Sequence, residues 1–357
     1  MTTIRELAQL SGVSVATVSR VLNGYVDVSD TTRKRVLRIA RELDYTPSAA
    51  ARTLVRQRSE VIGVLLETGA GHPDLQHPFF QEVLVGLKRQ LGAGGYDLLL
   101  FATDLSGNGS GEHSVLRRAR HHRADGVVVM GVDPRDPEIH KLSRSTIPTV
   151  AVDLDLVGRR TGYVISDNLE GARLAVRHLH DQGHERIAIV TGMLSTRPGA
   201  DRLLGYRAEL EALGLPYRDD YVREGDFYFE SGHRGMEALL DLETPPTAVF
   251  AAGDVMAAGC VRAVEERGLR VPHDIALVGF DDIQLAAMVQ PSLTTIRQDK
   301  TQLGATAADA LLRMIEETDA APPTVTLPVE LVVRESSGAR LASRRATNSS
   351  REEVRGN

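Results

Sequence analysis

Gly12-Val13-Ser14-Val15-Ala16-Thr17-Val18-Ser19-Arg20-Val21-Leu22-Asn23 is the stretch on which the reading of this chain turns. At helical spacing Val18, Val21 and Leu22 fall on one side, while Val15, Ala16, Ser19 and Arg20 fall on the other. A second short helix precedes it. Thr3 is placed to cap Ile4–Leu10, and Glu6, three residues on, completes a capping-box pattern. Ser11-Gly12-Val13 breaks that helix, Ser14 caps Val15–Leu22, and Asn23-Gly24 ends it. A third helix over Thr31–Leu43 carries Val36, Leu37, Ile39, Ala40 and Leu43 toward a shared core. Two short helices around a glycine turn make a helix-turn-helix, whose second helix enters the DNA major groove by its N-terminal residues. Val15 and Ala16 then suit thymine methyls, and Arg20 suits guanine O6 and N7. The hydroxyls of Thr3, Ser14, Thr17 and Ser19 suit phosphate oxygens. Spacing alone fits equally well three packed helices with a solvated polar face.

Charge favours the first of these. Residues 1–58 hold ten Lys/Arg against five Asp/Glu, whereas the remainder holds 32 against 43. A basic head on an acidic body places a polyanion at one end. The 357 residues suit two or three domains, and 42% hydrophobic with 25% charged residues is a globular balance. No stretch approaches the roughly 18 consecutive apolar residues of a membrane helix. The segment from Met1 to Glu6 has no secretory pattern, and Cys260 is the single cysteine, so a cytoplasmic location is expected.

Beyond Pro47, residues 47–58 are good helix formers with little apolar face, a linker helical only when something holds it. From residue 60 apolar, β-branched blocks alternate with helical stretches. The blocks are Val61–Leu66, Asp97–Ala102, Gly126–Met130, Thr149–Val152, Arg186–Thr191, Ala248–Ala252 and Ile275–Phe280. The helical stretches are Phe79–Leu91, Glu112–His122, Leu169–Gln182, Ala200–Leu213, Ser231–Leu240, Val255–Arg267 and Lys300–Glu316. That alternation predicts parallel sheets covered on both faces. Seven units exceed one compact sheet, so two α/β subdomains are expected. The predicted organisation is a small all-α head over 1–46, a linker over 47–58, and a two-lobed body over 59–338 with crossings near 165 and 295. A tail over 339–357, rich in Arg, Ser and Asn, has little to bury.

The head closely resembles that of the lactose-repressor/galactose-repressor family. The resemblance rests on Thr3 to Ala8, on Gly12 to Gly24, on Val28-Ser29-Asp30-Thr31-Thr32-Arg33 and on Leu43 to Leu54. It continues more loosely to about residue 338. It implies a periplasmic-binding-protein-like body and a regulator that binds a palindromic operator as a homodimer under control of a small effector, a sugar by preference. It also implies that the linker becomes a hinge helix on DNA, with Leu54 as a minor-groove wedge, and that Thr3, Asn23 and Tyr45 touch the backbone. An apolar wedge costs unstacking energy but bends the duplex onto more protein.

In the body the resemblance assigns effector contacts to Phe79 and Phe80 of His77-Pro78-Phe79-Phe80, where relatives read Asn-Pro-Phe-Phe, and to Asp153, Arg202, Phe227 and Asp281. Asp153 and Asp281 end apolar blocks, where open α/β sheets bind ligands. Each has a plainer alternative: Asp281 and Asp254 as helix caps, Arg202 as a surface residue of a helix's first turn, Phe79 and Phe227 as core. Two departures bear on effector identity, a long loop over 68–76 and Gly253 where many relatives carry asparagine.

Other function classes find little support. No P-loop, His-Glu-x-x-His or post-strand Gly-x-Gly-x-x-Gly is present, so neither an enzyme nor a cofactor is expected. The histidines are scattered, so no metal is expected. A transport-type sugar-binding protein would share the body but leave the basic head unexplained. The tail has no leucine heptad, so no tetramerising helix is expected.

Overall fold

A computed structural model describes residues 3–22, 25, 27–45, 58–66, 75–102, 114–133 and 135–338. Asn23, Leu54, nearly all of the linker, most of the 68–76 loop and the tail from 339 lie outside the described residues.

The head is three helices: α1 (Ile4–Ser11), α2 (Val15–Leu22) and α3 (Asp30–Glu42). Thr3 and Glu6 close a reciprocal capping box, in which the Glu6 amide donates to Thr3 Oγ1 and the Thr3 amide to Glu6 Oε2. Gly12 ends α1 at φ 62°, a left-handed turn that favours glycine, and thereby sets the entry to α2. The Thr17 amide donates to Ser14 Oγ, so Ser14 caps α2. Leu7, Ala8, Val18, Val21, Val36 and Ala40 form the buried core.

The body begins with β1 (Val61–Leu66), α4 (Pro78–Ala93), β2 (Asp97–Phe101), α5 (Val115–His121), β3 (Gly126–Met130), α6 (Pro137–Ser143), β4 (Thr149–Val152) and β5 (Thr161–Ser166). The chain then crosses into a second lobe of α7 (Asn168–Asp181), β6 (Ile187–Thr191), α8 (Arg197–Ala212), β7 (Val222–Glu224), α9 (Phe229–Leu240) and β8 (Ala248–Ala251). That lobe continues through α10 (Asp254–Glu266), β9 (Ala276–Asp281), α11 (Gln284–Met288) and β10 (Thr294–Gln298). It returns to the first lobe for α12 (Lys300–Glu316) and β11 (Thr324–Leu327), then crosses again to β12 (Val329–Val332).

Each lobe is one six-stranded sheet, ordered β11-β5-β4-β3-β1-β2 and β12-β10-β9-β8-β6-β7. Apart from the outermost strand the orders match, so the lobes are two copies of one topology. The first sheet is parallel throughout, whereas β12 joins the second antiparallel to β10. The two lobes expected from sequence are thus present, but three crossings join them, because β11 and β12 are separated only by Pro328. Buried strands such as β3, β4, β6 and β8 read as unbroken apolar blocks because both faces are covered.

The first lobe's core joins Val83, Leu87 and Leu91 of α4 to Leu303, Ala307 and Leu311 of α12. These helices approach at glycines. A Cβ on Gly86 would lie 2.0 Å from the Thr301 carbonyl oxygen, and one on Gly304 would lie 2.0 Å from that of Val83. The crossing segment is therefore clamped to the helix that opens with His77 and the two phenylalanines.

Candidate functional site

The C-terminal ends of both sheets face one cleft, with about 720 Å3 of empty space counting the part open to solvent. Its walls include His77, Phe79, Phe80, Asp153, Arg202, Phe227, Asp281 and Gln298. All six body residues singled out in the sequence thus line one cavity.

Arg202 is buried in the second turn of α8 rather than exposed in a first turn, because Thr196 caps the helix and Arg197 starts it, three residues earlier than Ala200, with Pro198 in the first turn. Its Nε donates to Asn168 Oδ1 (2.8 Å), and one terminal nitrogen donates to the Ala252 carbonyl (2.6 Å). The guanidinium lies 3.6 Å from the Phe280 ring centroid and 5.7 Å from that of Phe227, with Asp281 at 3.8 Å. Burial lowers its pKa, opposed by Asp281 and Asp153.

Asp281 ends β9 and caps no helix: Ile283 is the N-cap of α11. Its Oδ1 accepts from Gln298 Nε2 (2.6 Å), and its backbone carbonyl accepts from Lys300 Nζ (2.6 Å). Asp254 does not cap α10 either. There the N-cap is Gly253, and Asp254 accepts from the Ile283 amide (3.0 Å) and Thr295 Oγ1 (2.6 Å), bracing the turn beneath Asp281. Burial, then the nearby Asp281 charge, raises the Asp254 pKa well above the carboxylate range.

Asp153, just beyond β4, accepts from the Ser166 amide, while its Oδ1 is buried without a hydrogen-bond partner. Burial, helped by the Asp281 charge and opposed by Arg202, pushes its pKa up to about 6. Gln298 Oε1 is a second buried acceptor without a partner. Phe227 lies at φ 72° with its ring on Gly192, where any Cβ would come within 1.9 Å of that ring. Phe79 is 4% exposed and belongs to the first lobe's core while it lines the cavity, so the two readings of it coincide.

His77 and Gln298 are wall residues that the sequence reading did not assign. His77 stands in the sequence only as the first residue of His77-Pro78-Phe79-Phe80. Gln298 ends β10, whose Thr294–Gln298 carries too few apolar residues to announce a buried strand.

In the head, Val15 is 41% exposed, and Ala16 and Arg20 are exposed beside it on α2. Arg20 pairs with Asp27 at 3.5 Å across the surface. Ser14 Oγ lies 2.9 Å from Thr17 Oγ1, Thr3 is exposed, Ser19 is half-buried, and the Tyr45 ring packs on the head core. Among the described residues no cluster of His, Cys, Asp and Glu could hold a metal, and no helix is long and apolar enough to cross a membrane.

Comparison with known proteins gives a consistent picture. Residues 3–48 match the description "Bacterial regulatory proteins, lacI family", and residues 176–337 match "Periplasmic binding protein-like domain". The chain is 35% identical over 336 residues to the ribose operon repressor of Haemophilus influenzae, covering 94% of this chain and 98% of that one. It is 34% identical to the HTH-type transcriptional repressor PurR of Aliivibrio salmonicida, covering 94% and 99%. The lac repressor dimer bound to operator and the anti-inducer ONPF aligns with a TM-score of 0.80 at 30% identity, covering 94% of this chain and 99% of that one. The complex of the transcriptional regulator CelR with cellobiose aligns at 0.71 and 32% identity, covering 94% and 100%.

Proposed function

This chain belongs to the lacI family of bacterial regulatory proteins, and we propose that it is a repressor that binds a palindromic operator as a homodimer and responds to an unphosphorylated sugar. Each head reads one half-site, so a two-fold operator calls for two-fold protein symmetry. Val15, Ala16 and Arg20 take the base contacts, and Thr3, Ser14, Thr17, Ser19, Asn23 and Tyr45 the backbone contacts. Leu54 is the minor-groove wedge. The protein works in the cytoplasm, and catalysis is no part of its role.

The effector half of the reading is carried by one observation: Asp153 Oδ1 is a buried acceptor with no partner, set in a cavity whose walls combine the rings of Phe79, Phe80 and Phe227 with the polar groups of Arg202, Asp281 and Gln298. Such an atom stabilises a ligand that donates hydrogen bonds, as sugar hydroxyls do, and Gln298 Oε1 adds a second. Phe227 and Phe80 offer faces for a pyranose or furanose ring. An anion has less to gain here. Arg202 is already committed to Asn168 and Ala252, and Arg197 to Asp201 and Asp155.

The test is a thermal-shift screen of neutral sugars beside their phosphates, followed by operator binding with each hit. A neutral sugar that stabilises the protein and changes operator affinity is the expected result, with the response abolished in Asp281→Ala while operator binding survives. An Asp281→Ala protein that responds like wild type removes Asp281 from the effector site. Loss of preference for any palindrome over random duplex, with every sugar tried, overturns the regulator reading.

A further inference from the structure

We propose that His77 is the latch that holds the two lobes closed, acting as a positioning residue for the effector response. The inference deepens the proposed effector reading, which gives closure its purpose, but its geometry stands without a ligand.

His77 belongs to the first lobe, where it is the N-cap of α4 and its Nδ1 accepts the Phe79 amide at 3.3 Å. That bond fixes the proton on the other nitrogen. Nε2 therefore donates, and its partner at 3.3 Å is the backbone carbonyl of Phe227 in the second lobe. The ring is also packed from both sides. Its edge meets Tyr228 of the second lobe at 5.4 Å between centroids and Phe80 of the first at 5.9 Å. The side chain is 6% exposed. One imidazole thus caps a helix in one lobe and bonds the backbone of the other. An asparagine at this position would cap a helix equally well, but offers no second ring nitrogen to reach across.

Only the neutral ring can do both. An imidazolium has N–H at both nitrogens, so Nδ1 would face the Phe79 amide donor to donor. The groups facing the ring are Asp281 from β9, Arg202 from α8, and Tyr228 beside Phe227. Asp153, Arg197 and Asp226, the last on the same segment as Phe227 and Tyr228, stand in the same cavity. Burial lowers the His77 pKa below its ordinary value, Asp281 and the Phe227 bond oppose this, and Arg202 adds to it. Opening returns the ring toward the ordinary value near 6.5. The open form then binds more protons, so closure is strongest above that pH and is lost progressively below it.

The experiment uses the full chain and no ligand. Arg144→Cys at the end of α6 and Glu211→Cys in α8 put exposed dye sites on opposite lobes, and the native Cys260 is buried. Labelled chains diluted into excess unlabelled protein report transfer within single chains. We expect wild type to move from high to low transfer between pH 8 and pH 5.5. His77→Asn and His77→Ser keep a cap acceptor but lose the cross-lobe donor. Each should lower the closed-to-open ratio at pH 8 by about fivefold, the scale of one hydrogen bond, and flatten the pH response. Either folded variant matching wild type at pH 8, or retaining the full pH response, overturns the latch. A latch that passes while no sugar ever binds leaves this inference standing and removes the effector reading instead.

Discussion

Replacing Arg202 by methionine removes a buried charge while roughly keeping volume, and its cost can be worked from the contacts. The guanidinium makes two short hydrogen bonds, to Asn168 at 2.8 Å and to the Ala252 carbonyl at 2.6 Å. Hydrogen bonds to a charged group contribute about 1.5–3 kcal/mol each. The 3.6 Å approach to the Phe280 ring adds up to about 2 kcal/mol in a site sealed from water. Against these stands the desolvation of the guanidinium itself, which disappears with the charge. What remains is a buried Asp281 without its cation, and breaking a buried pair from one side costs about 3–5 kcal/mol. We take that as the net loss for Arg202→Met. Urea unfolding of the full-length chain, followed by circular dichroism at fixed protein concentration, measures it. The double variant Arg202→Met/Asp281→Asn should recover about 1–3 kcal/mol of the loss, since it removes the orphaned charge. A single-variant loss under about 1 kcal/mol, the level of an exposed ion pair, would refute the claim that this arginine organises the cleft floor.

Three further outcomes follow from the same geometry. Asp153 has its pKa raised to about 6, so its contribution to stability is complete below the unfolded value near 3.9 and is lost as the pH rises through 6. Asp153→Asn should therefore stabilise the chain by up to about 3 kcal/mol at pH 7.5 and by little at pH 4, read by calorimetry, while sugar binding falls; equal gains at both pH values would contradict the assignment. Arg20→Ala should relax base preference by about 1–3 kcal/mol at one symmetric operator position, visible in a selection from random duplexes; an unchanged consensus counts against it. Gly253 has extended backbone at φ −179°, and an added Cβ would meet nothing closer than 3.5 Å. Gly253→Asn should thus leave stability within about 0.5 kcal/mol yet change which sugars bind, since the new side chain starts beside Phe227 and Asp281; an unaltered sugar profile would show that this corner is not part of the effector site.

How much of this was legible in the chain depends on where each residue's signal lies. Most buried strands of both lobes are readable because burial on two faces demands apolar blocks such as Gly126–Met130, and Asp153 and Asp281 are readable as polar residues ending such blocks, but β5, with Thr161, Gly162, Tyr163 and Ser166 among its six residues, is not. Strand β10 was not, since Thr294 and Thr295 are buried through hydrogen bonds to Ser336, Ser337 and Asp254 rather than through apolarity. Gln298 was missed with it. Helices α6 and α11 have seven and five residues, too few for periodicity to show. Arg202 was singled out only through resemblance: nothing local marks an arginine that a helix will bury, and the three-residue error in the start of α8 even moved it toward the surface. Asp254 was misread for the opposite reason. An aspartate at a helix start looks like a cap, and only the fold shows the Ile283 amide and Thr295 hydroxyl that claim its oxygens.

The cleft's walls are built from strained backbone held by many contacts, and that bears on what an effector can do. Asp153, Phe227 and Asp281 sit at φ 57°, 72° and 112°, a region costing a non-glycine residue on the order of 1–3 kcal/mol. Such conformations persist only where neighbours over-determine them. At Asp281 the neighbours are visible: Gln298 holds its carboxylate, Lys300 its carbonyl, Asp254 the following turn, and the adjoining Asp282 is gripped at 2.6 Å by both Arg297 and Arg334. Binding energy from a ligand is then not consumed in shaping either wall. It is available to change how the walls face each other, and among the described residues the covalent joints between them are the crossings at 166–168, 298–300 and 327–329. The second of these carries Lys300, which donates to the carbonyls of Asp281 and Asp282 while its ammonium lies 3.4 Å from Glu82 of α4. A rotation about the crossings must therefore move α4, and with it His77, relative to the floor formed by Asp281 and Arg202. A sugar that bridges Asp153 in one lobe to Asp281 in the other selects the closed arrangement by its differential affinity alone. On the proposed reading, the first lobe, which the chain enters at residues 58–60, is the one whose change the head would register.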